Sequence, residues 1–113
     1  MSEQAVFDTL KYRIEVDAYG TRRYYNAAKQ LHRTDGPAIE YADGSKSWYQ
    51  NDQYHRVDGP AIDWTCGRKE WYQNDERHRI DGPAIIFEDG HKLWYINGKK
   101  MTEAEFNQRV KNV

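Results

Sequence analysis

Three segments, His32-Arg33-Thr34-Asp35, His55-Arg56-Val57-Asp58 and His78-Arg79-Ile80-Asp81, each place an imidazole, a guanidinium and a carboxylate within four residues. Such groups serve as general acids and bases, as metal ligands and as anion clamps. Each segment is followed by the same Gly-Pro-Ala, however, and recurs at an interval of 23 residues. A catalytic centre needs one arrangement of unlike groups. Identical groups with identical neighbours are what a contact between successive copies of a repeat requires. His32, His55, His78, Arg33, Arg56, Arg79, Asp35, Asp58 and Asp81 therefore read as structural ladders. Arg and Asp two residues apart share a strand face, so charge pairs between adjacent copies are the expected contact.

The remaining chemistry is sparse. The repeat histidines lie whole repeats apart and lack the short spacings of zinc motifs, so no metal site and no cofactor is expected. Cys66, the single cysteine, stands where the other copies have Asp43 and Asp89. Arg68 nearby could activate its thiol, but a drifted turn residue is the simpler reading. The glycines fall in repeat turns and form no phosphate loop, and no enzyme is expected.

The elements that position these groups follow from the punctuation of the unit. Asp43-Gly44 and Asp89-Gly90 mark one two-residue turn, and Asn51-Asp52, Asn74-Asp75 and Asn97-Gly98 mark another. Between them lie short aromatic stretches of alternating character such as Lys46-Ser47-Trp48-Tyr49-Gln50, which read as strands with one buried face. Asp-Gly-Pro marks a bend or strand start, because proline lacks a backbone donor. The expected fold is mostly β: an antiparallel β-meander or hairpin array of three 23-residue repeats over residues 32–100, with about three short strands per repeat. Residues 1–31 carry a degraded capping repeat, and residues 101–113 form a short C-terminal capping helix, all within one structural domain. Thr102 and Glu105 form a capping box that starts this helix near Glu103, with Phe106, Val110 and Val113 on one face.

Equivalent positions stack along such an array. Neighbouring Trp and Tyr point to opposite faces of a strand, so one ladder is core and the other is open. Trp48, Trp71 and Trp94 are expected inside with Ile39, Ile62 and Ile85, leaving Tyr49, Tyr72 and Tyr95 outside; pattern alone also permits the inverse. Specificity is sought where copies differ, as at Thr34, Val57 and Ile80 or at Tyr54, Arg77 and Lys100. Trp64, Arg68, Lys69 and Arg77 of the middle repeat and the neighbouring Tyr54 combine aromatic and basic character, and these are the candidate partner-binding residues.

A formal charge of −1 excludes a globally steered nucleic-acid binder. Interleaved aromatic and basic residues keep single-stranded nucleic-acid or nucleotide binding as an alternative, and a self-assembling scaffold or homodimer as another. The chain has no apolar run of membrane-spanning length, and MSEQAVFDTLKY shows no secretion signal, so a cytoplasmic location without a membrane partner is expected.

The 23-residue period and the run Tyr72-Gln73-Asn74 to His78 resemble the MORN repeat, a family of β-hairpin arrays. The chain departs from it at Arg33, Arg56 and Arg79, and in its added Asp-Gly-Pro-Ala. It is more similar to small phage and bacterial proteins with tandem HR-x-DGPA units and an NG-K-x-x-T-E-x-E-F tail, matched here by HRTDGPA, HRVDGPA, HRIDGPA and NGKKMTEAEF. That resemblance implies a non-catalytic, phage-encoded modulator or inhibitor. Its partner would be a host protein or protein complex, such as a bacterial defence complex, occupied sterically in the host cytoplasm.

Overall fold

A computed structural model describes residues 6–8 and 11–111 of the chain. The fold is mostly β. β1 (Val6–Asp8), β2 (Tyr12–Val16), β3 (Arg22–Tyr25), β4 (Ile39–Glu40), β5 (Lys46–Ser47), β8 (Ile62–Asp63), β9 (Lys69–Glu70), β12 (Ile85–Ile86), β13 (Lys92–Ile96) and β14 (Lys99–Met101) form one sheet in that order. β6 (Tyr49–Gln50) with β7 (Gln53–Tyr54), and β10 (Tyr72–Gln73) with β11 (Glu76–Arg77), leave the sheet as small hairpins. Every described pairing is antiparallel. The first two repeats thus hold four short strands each, where three are expected. At Trp48 and Trp71 the chain leaves the main ladder, and β6 and β10 pair locally instead of extending β5 and β9. In the third repeat the corresponding stretch runs unbroken as β13.

The Asn-Asp and Asn-Gly turns behave as their composition requires. Asn51, Asp52, Asn74, Asp75, Asn97 and Gly98 all have positive φ, the paired left-handed conformation of a tight hairpin turn. The Asp-Gly turns differ from the expected two-residue form. Only Gly44, Gly67 and Gly90 are left-handed, and each glycine N–H donates three residues back, to Tyr41, Trp64 and Phe87 respectively. These are type I turns closed by a left-handed glycine, which add one residue to the loop. Asp43 Oδ1 accepts the Ser45 N–H at 2.8 Å, and Asp89 Oδ1 accepts that of His91 at 2.9 Å. Cys66 occupies the same place on the same backbone but has no carboxylate to offer. Cys66→Asp should therefore add this turn bond to the Arg68 N–H and stabilise the chain by about 0.5–1.5 kcal/mol. An unchanged or lower urea midpoint would contradict the turn assignment.

The core is a line of small and branched residues. Ala38, Ala61 and Ala84 are fully buried, with Ile39, Ile62 and Ile85 beside them. The alanines are small because the backbone passes close by: Ala61 and Ala84 carbonyls accept the N–H groups of Trp48 and Trp71 at 2.7 Å. Tyr24 makes the same bond to Ala38 at 2.8 Å, so β3 presents to the first repeat the edge that each repeat presents to the next. Buried Tyr12 and Tyr24 close that end.

At the other end α1 (Glu103–Lys111) packs on β13 and β14 and buries Phe106, while Ile96 on β13 is also buried. The capping box is formed as expected: Glu105 N–H donates to Thr102 Oγ1 at 3.1 Å, and Thr102 N–H to Glu105 Oε1 at 2.9 Å. The Thr102 N–H bond, seconded by the Thr102 hydroxyl, holds the Glu105 carboxyl below its ordinary range. Val113, assigned to the buried helix face by pattern, lies outside the described residues. No described helix is long and apolar enough to cross a membrane.

Candidate functional site

The residues of the His-Arg-x-Asp-Gly-Pro loops have separate and recurring contacts. The Nδ1 atoms of His32, His55 and His78 accept the N–H groups of Asn51, Asn74 and Asn97 at 3.0, 3.0 and 2.9 Å. Each imidazole thereby holds the hairpin turn that follows it, with Nδ1 unprotonated.

Each arginine is fixed on three sides. Arg33, Arg56 and Arg79 lie with Cζ 3.9, 3.7 and 3.9 Å from the ring centres of Tyr24, Trp48 and Trp71, which belong to the preceding units. Each Nε donates to the aspartate two residues on, at 3.1, 3.1 and 2.8 Å, and each Nη1 donates to the carbonyl of Pro37, Pro60 or Pro83. The charge pairs are therefore internal to each loop rather than between copies, because the loop curls back on itself instead of running as a strand. The contact that this motif itself makes between copies is the guanidinium on the aromatic ring. A Cβ on Gly36, Gly59 or Gly82 would meet that guanidinium carbon at 2.8, 2.8 or 2.7 Å, so the glycine gives it room.

This arrangement corrects the expected placement of the aromatic ladders. Trp48 and Trp71 are half-buried beneath arginines rather than in the core with the isoleucines. Trp94 is also half-buried; one repeat beyond Arg79 stands Thr102, where the helix begins, and among the described residues no guanidinium lies over the Trp94 ring. Tyr49, Tyr72 and Tyr95 are no more open. Tyr49, Tyr54 and Tyr72 stack with ring centres 4.5 and 5.0 Å apart, and Arg77 continues the column with Cζ 5.9 Å from the Tyr72 ring and 5.3 Å from Tyr95. Burial pushes the Tyr49 and Tyr72 phenols upward, aided by the Tyr54 hydrogen bond in one case and the Glu70 charge in the other.

Of the five candidate residues, the structure brings Tyr54, Arg68 and Arg77 together around Tyr72 and Glu70 and gives Trp64 and Lys69 other partners. Arg68 and Arg77 approach buried Glu70, with Arg68 Nε 3.0 Å and Arg77 Nη2 3.9 Å from its carboxylate; Tyr72 Oη also donates to it, at 3.3 Å. Tyr54 belongs to the tyrosine column, and Trp64 stacks on Tyr41 at 5.7 Å. Lys69 lies on the other side of its strand, paired with Asp63 at 2.8 Å. Strand alternation separates it from Arg68.

What the structure does bring together is the loop row. One groove of about 520 Å³ is lined by Thr34, Asp35, Trp48, Gln50, His55, Arg56, Val57 and Asp58, among others. A second, of about 590 Å³, is lined by the equivalents one repeat on, Val57, Asp58, Trp71, Gln73, His78, Arg79, Ile80 and Asp81, with Gly59. The loop at Val57-Asp58 is the wall they share. Val57 on this wall and Ile80 on the next loop stand 74 and 62% exposed, and the Asp58 and Asp81 side chains are 86 and 81% exposed, whereas Arg56 and Arg79 are 24 and 21%. The face is acidic and apolar toward solvent. At its first loop, partial desolvation of Asp35 is outweighed by the Arg33 hydrogen bond and charge, which hold the carboxyl below its usual range. Sequence comparison of the copies marks Thr34, Val57 and Ile80 as variable, but their assembly into groove walls depends on the fold. Comparison of the chain with protein-family models, curated proteins and solved structures gives no match.

Proposed function

We propose that this chain is a non-catalytic binding protein that acts by occupying a surface of a protein partner, with the loops at 33–36, 56–59 and 79–82 as its contact face. The observation that carries this reading is the exposure of Val57 and Ile80 at the one position of the loop that differs between copies. The histidine and arginine before it are tied into the scaffold by the imidazole and guanidinium contacts. Large apolar side chains held on ordered loops are what an interface anchor requires, since little conformational freedom remains to be lost on binding.

The resemblance to tandem HR-x-DGPA proteins extends the reading: the partner is a host protein or complex, and steric occupation modulates it without turnover. Exposed carboxylates on the same face disfavour the nucleic-acid alternative, because they repel phosphates. The test is a double variant, Val57→Asp with Ile80→Asp. Its urea midpoint should stay within about 0.5 kcal/mol of the parent value, since both side chains project into solvent. Its capture of a partner from bacterial lysate should be lost. A partner retained by the double variant would remove this face from consideration.

A further inference from the structure

The two grooves are one site repeated, and their spacing constrains what can lie across both. The first two repeats each contribute two strands to the main sheet, β4 and β5, then β8 and β9, and the third follows with β12 and β13 before the terminal β14. At about 4.8 Å per strand, equivalent points are therefore about 9.6 Å apart. Each groove is lined by the exposed carboxylate and variable residue of the loops on either side, Thr34 and Val57 or Val57 and Ile80, together with Trp48 or Trp71, the arginine stacked on it, and Gln50 or Gln73. A long cationic side chain fits such a groove: its alkyl stem packs on the Val57 or Ile80 wall and the tryptophan, and its head meets the free oxygen of the aspartate.

We propose that the grooves bind a polyproline II segment of the partner that carries a cationic side chain at every third residue. This deepens the function proposed above and rests on it. A polyproline II helix repeats every three residues at about 3.1 Å each, so residues i and i+3 face the same way about 9.3 Å apart. That matches the groove step. A β-strand offers same-face spacings of about 6.6 and 13.2 Å, which straddle it. Aromatic floors and an extended, preformed backbone are also the physical basis on which proline-rich segments are recognised elsewhere.

Three labelled peptides of equal length test this by fluorescence anisotropy at low salt: proline-rich with arginine at every third residue, the same composition with arginine at every fourth, and the first with glutamate for arginine. The every-third peptide should bind at least about tenfold more tightly than the every-fourth one, and the glutamate peptide should not bind. Asp58→Asn, at the wall common to both grooves, should weaken the first peptide about tenfold while leaving the urea midpoint unchanged, since the amide oxygen can still accept from Arg56. Equal binding of the two arginine registers, or none, overturns the proposal. So does self-association in sedimentation that Val57→Asp abolishes, which would put a second copy of the chain in the grooves. If the peptides fail while a partner is still captured through Val57 and Ile80, the ligand class alone is wrong. If capture ignores those residues, the function proposed above is wrong as well.

Discussion

Arg56→Ala should lower the unfolding free energy by about 3 kcal/mol, read as a shift of the urea midpoint at an unchanged slope. The side chain lies 3.7 Å over Trp48, fills the space left by Gly59, and donates at 3.1 Å to the Pro60 carbonyl. Alanine removes the cation–π contact and the packing of the stem, and it leaves a partly buried carbonyl without its charged donor. The ion pair with Asp58 contributes little, because that carboxylate is 86% exposed. The loss is thus expected from the contact between repeats and not from the charge pair. A change below about 1 kcal/mol would show that the loop is held by something else.

Phe106→Ala should be at least as damaging, at about 3–4 kcal/mol. Phe106 is the one buried residue of the nine-residue α1 and seals the sheet end where Ile96 lies. Nearest-neighbour stacking gives the last repeat no further unit to cover it, so the helix substitutes for one. Loosening α1 also opens the β14 edge, whose unpaired backbone groups can then pair with another chain. Loss of stability should therefore come with concentration-dependent mass in sedimentation. A variant that stays monomeric and within about 1 kcal/mol of the parent would contradict the capping role.

Local signals made much of this fold legible. The Asn-Asp and Asn-Gly pairs mark turns because their side chains tolerate the left-handed backbone, and Thr102 with Glu105 marks the helix start because both satisfy N–H groups there. What escaped the sequence is one of the contacts that join the copies, the guanidinium on the preceding ring. Arg56 lies eight residues after Trp48 and reaches its ring only once the chain has reversed at Asn51-Asp52, so neither period nor alternation reveals the pair. Gly36, Gly59 and Gly82 read as turn glycines, yet none has positive φ; each is needed for the space the guanidinium fills. The site was legible in one part. Thr34, Val57 and Ile80 stand out as positions that differ; of the residues grouped by nearness in sequence, Tyr54, Arg68 and Arg77 meet around Tyr72 and Glu70, whereas Trp64 stacks on Tyr41 and Lys69 pairs with Asp63.

The His-Arg-x-Asp-Gly-Pro motif stacks successive units by laying its guanidinium on the preceding aromatic ring. A double-mutant cycle on Arg56 and Gly59 tests it most directly. Gly59→Ala alone should lower stability by about 2–3 kcal/mol, because its Cβ would meet the Arg56 guanidinium at 2.8 Å and displace it. In the Arg56→Ala background the same change should alter stability by less than about 0.5 kcal/mol, giving a coupling of about 2 kcal/mol. Additive losses would mean that the glycine serves the backbone and not the guanidinium, and the stacking account of the motif would fall.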